Sequence, residues 1–273
     1  MNDFVKGKIV IFLVIVGFSY SEAAFELTGD SIISLSLSGA GYAMLIPGGA
    51  VGSNPAVPFN QTGFSLTYRN LYNLKELRHT GISFYHEIFR LGITVKAFDF
   101  GCELYRENAF ALSAAREVTK GLYFGLQIEH YRLSIRDYGS SGAYGFDLGC
   151  IWEVQENLSI AGGGTNLNRP QIGECSEGLP FILRAGLAYQ PVEHFQIYAD
   201  IFKDEDFPLE TRLGVELSRL KYLTIRMGTA DHPVSLSGGF DIHLNSVGVS
   251  YAFNSHKYLG FTHSFGMFFR MGD

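Results

Sequence analysis

Apolar and polar residues alternate along most of this chain, most regularly between residues 180 and 269. In the segment 183–189 the apolar positions are Leu183, Ala185, Leu187 and Tyr189. A period of two predicts β-strands with one apolar face. The opposite face holds glycine, serine, alanine and scattered charges, so it is too small for a packed core and too uncharged for an ordinary water-facing surface. Apolar-out, polar-in strands of about ten residues are typical of transmembrane β-barrels.

The same pattern predicts fourteen strands, an even number as in bacterial single-chain barrels. They lie at 63–70, 78–87, 90–98, 108–117, 121–134, 142–153, 157–165, 180–189, 194–201, 210–218, 222–229, 234–242, 245–253 and 260–270. Tight turns alternate with longer connections, as expected when both termini lie in the periplasm. We therefore predict an all-β fold, an antiparallel up-and-down barrel that crosses a membrane.

The N-terminus indicates export. Lys6 and Lys8 precede the apolar run 9–18, and the small residues Ser21 and Ala23 stand at the −3 and −1 positions. This order describes a secretory signal peptide cleaved after Ala23, and the run is too short to span a bilayer as a helix. The predicted organisation is a signal peptide at 1–23, an N-terminal segment at 24–60 and the barrel at 61–273. The expected location is a bacterial outer membrane, with its lipid as one partner.

The N-terminal segment is rich in glycine and carries no charge between 31 and 59. Its small residues would allow close packing inside a lumen, so we predict a plug or hatch; a disordered tail is the alternative. Gly39-x-Gly41 is typical of a turn, and it does not have the strand and helix context of a dinucleotide site. The motif residues of this segment are Gly39, Gly41, Asn54, Pro55 and Ala56.

Charged residues in the strands share the inward parity. One set lies on neighbouring strands in mixed sign and comprises Arg184, Asp200, Arg212, Glu216, Arg226 and Asp241. Arg69, Lys96, Glu129 and Asp147 have the same parity. A cross-strand ladder of salt bridges is one interpretation, with Arg212 as the cation for Asp200 and Glu216 and the arginines as donors to the plug. A polar lining that a solute passes is the other.

Composition excludes several functions. The chain has 18% charged residues and a net charge of −6, with no basic run, so no nucleic-acid partner is expected. The three cysteines are too scattered for a metal knuckle. His263 and Ser264 are adjacent and would face opposite sides of a strand, so they cannot act as base and nucleophile. No catalytic residue, metal ligand or cofactor is predicted, and the chain is not expected to be an enzyme.

The last strand carries the pattern Ser264-x-Gly266-x-x-Phe269 close to the C-terminus. This pattern resembles the signal by which the outer-membrane insertion machinery recognises its clients. That machinery is therefore an expected partner.

Several short motifs occur in an order that resembles one family. They are Gly39-Ala40-Gly41-Tyr42-Ala43, Ser53-Asn54-Pro55-Ala56, Gly162-Gly163-Gly164-Thr165-Asn166, Arg184-Ala185-Gly186-Leu187 and Leu213-Gly214-Val215-Glu216. The chain resembles the PorV/PorQ-like outer-membrane barrels, relatives of the FadL-type long-chain fatty acid transporters, over nearly its whole mature length. It departs from their pattern where Val57-Pro58 stand in place of the usual Gly-Leu.

Three functions are considered. The first, which the resemblance implies and the order of the motifs favours, is an accessory barrel in protein secretion or surface attachment, with secretion-system components as partners. The second is a FadL-like passive transporter with a hydrophobic ligand. The third is a structural barrel without transport. Extended external loops would favour the first function, and an apolar pocket beside a lateral opening in the wall would favour the second.

Overall fold

The computed structural model describes residues 24–25, 31–45, 54–58 and 62–271. The predicted signal peptide lies outside these residues. In the described N-terminal segment, Ser31 caps a single helical turn, α1 (Ile32–Ser36), because its hydroxyl oxygen accepts a hydrogen bond from the Ser34 amide at 3.1 Å. The described residues contain no helix that is long and apolar enough to cross a membrane.

Sixteen strands follow in the described chain. They are β1 (Thr62–Asn70), β2 (Arg78–Ile88), β3 (Leu91–Gly101), β4 (Tyr105–Thr119), β5 (Leu122–Ile135), β6 (Gly139–Gln155), β7 (Leu158–Thr165), β8 (Gln171–Ile172), β9 (Glu177–Gly178), β10 (Ile182–Val192), β11 (Phe195–Asp204), β12 (Glu210–Leu220), β13 (Leu223–Asp231), β14 (Val234–Leu244), β15 (Val247–His256) and β16 (Gly260–Met271). Two 3₁₀ turns, Leu71–Asn73 and Lys75–Leu77, join β1 to β2.

Fourteen of these strands form one closed antiparallel barrel. Each strand pairs with its neighbours in the sequence, β7 pairs with β10, and β16 pairs with β1 from Thr62↔Met271 to Asn70↔His263 to close the wall. The short β8 and β9 form a separate hairpin. The predicted fold and strand number are confirmed, and each of the fourteen predicted segments overlaps one barrel strand.

The two ends of the barrel differ in their connections. At one end the turns are two residues each, at 89–90, 120–121, 156–157, 193–194, 221–222 and 245–246. At the other end, here called the loop end, the connections are 71–77, 102–104, 136–138, 166–181, 205–209, 232–233 and 257–259. Most are shorter than predicted because polar residues continue the ladder. Asp99 pairs with Asn108, whose side-chain amide donates to the Asp99 carboxylate at 2.7 Å.

The outer face of the wall is a continuous apolar band. Every barrel strand contributes a large exposed apolar side chain: Leu66, Ile82, Val95, Leu112, Leu126, Leu148, Ile160, Leu187, Ile201, Val215, Ile225, Phe240, Val249 and Met267. These side chains are exposed, while charged side chains of the same strands, such as Lys96, Asp147 and Arg226, are buried on the inner face. A band of this kind is suited to contact with lipid acyl chains rather than with water.

Candidate functional site: the lumen and the N-terminal segment

The described N-terminal residues lie inside the barrel. The helix α1 packs on β13, β14, β15 and β16, where Ile32 and Leu35 contact Ala252. Leu37 is fully buried with Tyr198 of β11. Residues 54–58 lie further round the wall, where Ala56 and Val57 pack with inward residues of β2 and β6. The described stretches 31–45 and 54–58 therefore lie along the inner wall between β16 and β2.

Inward glycines make room for this path. We call the following set the glycine track: Gly125, Gly149, Gly163, Gly186, Gly214, Gly228, Gly239 and Gly266. A Cβ on Gly228 would lie 2.1 Å from the carbonyl carbon of Leu37. A Cβ on Gly125 would lie 2.2 Å from the carbonyl carbon of Pro55. Any larger residue at Gly228 or Gly125 would therefore overlap the backbone of the N-terminal segment.

Small polar side chains of the wall bind the backbone of the segment. The Asn254 amide donates to the Leu35 carbonyl at 2.8 Å, and the Ser237 hydroxyl donates to the Ser36 carbonyl at 3.0 Å. The Ser159 hydroxyl donates to the Ala43 carbonyl at 2.9 Å. Parity predicted arginine donors, and Arg212 does donate to the Gly39 carbonyl, at 3.4 Å. The carbonyls of Leu35, Ser36 and Ala43 are instead bound by serine and asparagine, which fit the narrow space beside the glycine track.

The motif residues join the described stretches 31–45 and 54–58. Gly39 and Gly41 have φ values of +82° and +101°, which favour glycine. The Asn54 amide donates to the Tyr42 carbonyl at 3.0 Å, and the Asn54 side-chain oxygen accepts from the Ala56 amide at 2.9 Å. Pro55 packs against Gly149 and Gly125 of the wall. The five motif residues thus shape and connect the segment rather than forming a reactive site.

Tyr42 contacts both the barrel wall and the motif residue Asn54. Its backbone amide donates to the Asp200 carboxylate at 2.9 Å, and the guanidinium carbon of Arg184 lies 5.9 Å from its ring centroid. Burial raises the pKa of the Tyr42 phenol well above its ordinary value, so the hydroxyl stays neutral in the physiological range. Asp200 and Arg184 therefore act on the segment as well as within the wall.

Arg226 links two carboxylates across three strands. Its guanidinium lies 2.6 Å from Glu216 and 2.6 Å from Asp241, and all three side chains are buried. Arg212, predicted as the cation for Asp200 and Glu216, forms its ion pair instead with Glu210 on its own strand, at 2.8 Å. Its charge still acts on Asp200, with which it is in register, whereas Glu216 pairs with Arg226. Among the described residues of the N-terminal segment, Arg212 donates to the Gly39 carbonyl at 3.4 Å.

The reason is local. Arg212 is in register with Asp200, but its guanidinium carbon lies 3.9 Å from the ring centroid of Phe202, so the side chain runs along β12. Strand parity predicts which face a residue occupies, and it does not predict the direction of a long side chain.

A second polar cluster lies on the opposite wall, across β3 to β6. Lys96 donates to Gln127 at 3.1 Å, and Gln127 donates to Asp147 at 2.6 Å. The Tyr131 hydroxyl lies 3.1 Å from a carboxylate oxygen of Glu129 and 3.0 Å from the side-chain oxygen of Asn166. Sequence reasoning assigned an inward parity to Lys96, Glu129 and Asp147 without bringing them together. Their positions on neighbouring strands were the signal that could have done so.

The C-terminal pattern is divided between the two faces of β16. Ser264 is fully buried and faces the lumen, and Gly266 is close to Ile32 of α1. Phe269 faces outward, with its ring 5.7 Å from that of Phe64 across the β1–β16 seam. The role of the pattern as an assembly signal stays a prediction.

An inward apolar pocket lies at the loop end. It is formed by Ala109, Tyr131, Leu133, Ala143, Ile172 and Leu179. Phe25 occupies this pocket, with its ring centroid 4.9 Å from that of Tyr131 in an edge-to-face arrangement. No local sequence pattern predicted this pocket, because its residues come from three strands and the connection 166–181.

The wall beside this pocket is interrupted. β6 pairs with β5 from Gly139 onward, but its ladder with β7 begins only at Leu148, because β7 ends at Thr165. Beyond that point Asn168 takes the place of a strand. Its amide donates to the Tyr144 carbonyl at 2.8 Å, and its side-chain oxygen accepts from the Phe146 amide at 2.9 Å. The loop-end part of β6, residues 139–147, is thus held on this side by a loop rather than by a neighbouring strand.

The described residues show no arrangement for metal binding. Within them, no group of three or more histidine, cysteine, aspartate or glutamate side chains could hold an ion. Their three cysteines are free thiols. Of the adjacent pair considered above, His263 contacts the Tyr251 hydroxyl at 2.8 Å, whereas Ser264 faces the lumen.

No protein-family model matches this chain. No characterised protein matches it by sequence. Solved structures do share its fold. The toluene transporter TbuX of Ralstonia pickettii aligns with a TM-score of 0.65 at 14% identity, over 91% of this chain and 100% of that one. The monoaromatic hydrocarbon channel CymD aligns with a TM-score of 0.64 at 15% identity, over 92% and 100%.

The toluene transporter TodX of Pseudomonas putida aligns with a TM-score of 0.60 at 12% identity, over 91% of this chain and 100% of that one. The three structures share a barrel fold with this chain at an identity too low to transfer their activities.

Proposed function

We propose that this chain is an outer-membrane channel that admits small hydrophobic solutes by passive, FadL-like transport. The apolar outer band supports the membrane location. The names of the similar structures, which are transporters of toluene and channels for monoaromatic hydrocarbons, support the class of solute.

The observation that carries the proposal is the apolar pocket at the loop end. The pocket holds the phenyl ring of Phe25, so its shape suits a solute the size of benzene. A solute in the place of Phe25 would contact Tyr131 and Leu133 on the wall and Ile172 on the connection above. Apolar pockets of this kind bind by burying apolar surface, at roughly 25 cal/mol per Å².

The interrupted wall gives such a solute a route toward lipid. The pocket adjoins the loop-end part of β6, where the ladder with β7 is missing and Asn168 holds the strand edge. Besides Asn168, the Leu167 amide donates to the Phe146 carbonyl at 2.9 Å and the Gly173 amide donates to the Ser141 hydroxyl at 3.0 Å. These scattered bonds from one connection are easier to break than a regular strand ladder, because fewer bonds must open together. A hydrophobic solute would leave here without crossing the polar interior.

The lumen is less suited to a porin-like channel for water and ions than to a channel for hydrophobic solutes. The described stretches of the N-terminal segment lie along the inner wall, and the inward charges are paired in mixed sign, as in the Glu216–Arg226–Asp241 group. Balanced charges are poor at attracting an ion of either sign. We therefore expect low ion conductance from the intact protein.

A secretion accessory is the less favoured function. Six of the seven loop-end connections span at most seven residues, from 232–233 to 71–77, which leaves little extended surface to hold a protein partner. We find no contact in the described residues that favours this function over transport.

Uptake by intact cells tests the proposal. Host cells with an intact outer membrane, expressing this chain or carrying an empty vector, are compared for the initial rate of labelled toluene uptake. We expect faster uptake with the chain. Ile172→Asp should reduce uptake to the vector rate, because it places a carboxylate in the apolar pocket. Ile172 lies on the β8–β9 hairpin, outside the barrel wall, so the barrel should still fold.

The adjacent Gln171 provides the control. It is exposed on the same hairpin, so Gln171→Asp should leave uptake unchanged. Uptake equal to that of the empty vector would contradict transport and favour a structural barrel. Loss of surface proteins from cells that lack this chain, with toluene uptake unaffected, would favour the secretion accessory.

A further inference from the structure

The start of the described chain is bound by a buried carboxylate. Ala24 and Phe25 are 5% and 3% exposed, although they lie outside every helix and strand. The Phe25 amide donates to one oxygen of Glu107 at 3.0 Å. The Tyr105 hydroxyl donates to the other oxygen at 2.6 Å. Glu107 itself is buried near the first residues of β4, at the loop end.

No cation of the described residues forms an ion pair with Glu107. The nearby arginines are engaged elsewhere, Arg106 with Asp99 at 3.4 Å and Arg136 with Glu103 at 2.7 Å. Glu177, on the β8–β9 hairpin, adds a second negative charge in its neighbourhood. A buried carboxylate without a cation is costly even when it accepts hydrogen bonds. The negative charge of Glu107 therefore lacks a compensating positive charge among the described residues.

Processing of the chain would supply the missing charge. Cleavage after Ala23, as the sequence predicts, makes Ala24 the first residue and converts its amide nitrogen into an ammonium group. Successive backbone nitrogens are at most about 4 Å apart, so this group would lie within reach of the carboxylate that already binds the Phe25 amide. An ammonium–carboxylate hydrogen bond is stronger than one between neutral groups.

We propose that Glu107 is the binding site for the α-ammonium group that signal-peptide removal creates at Ala24. The site forms only after cleavage, because the same nitrogen in the precursor is an uncharged amide. Binding at Glu107 then fixes Phe25 in the apolar pocket and anchors the N-terminal segment at the loop end. The contact between the ammonium group and Glu107 can form whether or not the barrel transports a solute, but a solute that enters the pocket would have to displace Phe25.

The reactivity of the α-amine tests the site. The mature protein is purified folded in detergent from outer membranes, and its first residue is identified by mass spectrometry. The acylation rate of the α-amine by an amine-reactive ester is then measured. We expect Ala24 as the first residue and an acylation at least about tenfold slower in the folded protein than in urea, since a charge-assisted bond must open first.

Two variants separate this site from simple burial. Glu107→Gln keeps the size of the side chain and should restore most of the rate. Glu103→Gln removes an exposed carboxylate at the same end of the barrel and should change nothing. A Gly-Ser insertion between Ala23 and Ala24 leaves the wall intact and should also give a fast-reacting amine.

Three results would overturn the proposal: a first residue other than Ala24, an equal rate in the folded and unfolded wild type, or a slow rate in folded Glu107→Gln and in the insertion variant. Heat-modifiable migration on gels shows that each variant is folded.

Discussion

The two faces of the barrel wall are built on opposite principles, although every strand contributes to both. The outer face exposes a large apolar residue on each strand. Only the apolar character of these residues matters there, since any apolar side chain would suit contact with lipid. The inner face depends on individual partners. Gly228 is matched to the Leu37 backbone, and Arg226 is matched to Glu216 and Asp241.

The two faces should therefore differ in the substitutions that they tolerate. On the outer face, one apolar residue can replace another at little cost, and only a charge is excluded. On the inner face, a single methyl group or a single missing cation disturbs a particular contact. Substitutions on the two faces of one strand should therefore have different kinds of effect, and the following predictions are arranged from the largest expected effect to the smallest.

Arg226→Met should be the most damaging. It leaves Glu216 and Asp241 buried without a cation, which costs about 3–5 kcal/mol in comparable buried pairs. The free energy of unfolding can be followed in guanidinium chloride by the fluorescence of Trp152, the single tryptophan of the chain. The control combines Arg226→Met with Glu216→Gln and Asp241→Asn, which removes the unpaired charges and should recover much of the loss. Equal stability of wild type and Arg226→Met would contradict the account of the inner face.

Leu126→Arg should have a slightly smaller effect on the outer face. Leu126 is 60% exposed in the apolar band, and an arginine at the middle of a bilayer costs about 2–4 kcal/mol in barrels. The same unfolding measurement in lipid vesicles gives the loss. Tyr138→Arg, in the exposed connection 136–138, is the matched control and should be neutral. If both arginines were equally tolerated, the apolar band would not be the lipid contact.

Phe269→Ala should change stability least and assembly most. The side chain is half-buried on the outer face against Phe64, so little packing is lost. If the terminal aromatic is read by the insertion machinery, the amount of folded protein in the outer membrane should fall while export to the periplasm continues. Cell fractionation and heat-modifiable migration measure both quantities. Unchanged membrane levels would remove the assembly-signal prediction.

The sequence predicted the barrel well because membrane strands are local patterns. The alternation of apolar and polar residues along 183–189, and along the other strands, can be read directly from the sequence. Charged side chains such as Arg226 and Asp241 are excluded from contact with lipid, so they all occupy inward positions. Strand ends were predicted less well. Asp99 and Glu107 resemble loop residues, yet they belong to strands that continue as polar ladders beyond the apolar band.

The candidate site was predicted only in part. The segment α1 is a single turn, too short to show a helical period. The pairing of Arg212 with Glu210 depends on the direction of a flexible side chain, and the contact of Phe25 with Glu107 joins residues 82 positions apart. Contacts of these kinds depend on the assembled fold, so no local pattern contains them.

Single-channel conductance of Gly228→Ala tests the central claim, that the N-terminal segment is seated on the glycine track and closes the lumen. The added methyl group would overlap the Leu37 backbone and unseat the segment. The account predicts higher conductance than wild type in planar bilayers, a similar rise on deletion of residues 24–56, and no further rise when the two changes are combined. Gly162→Ala, where a Cβ meets open space, should behave as wild type. A folded Gly228→Ala protein and a folded deletion variant that both conduct no more than wild type would contradict the claim.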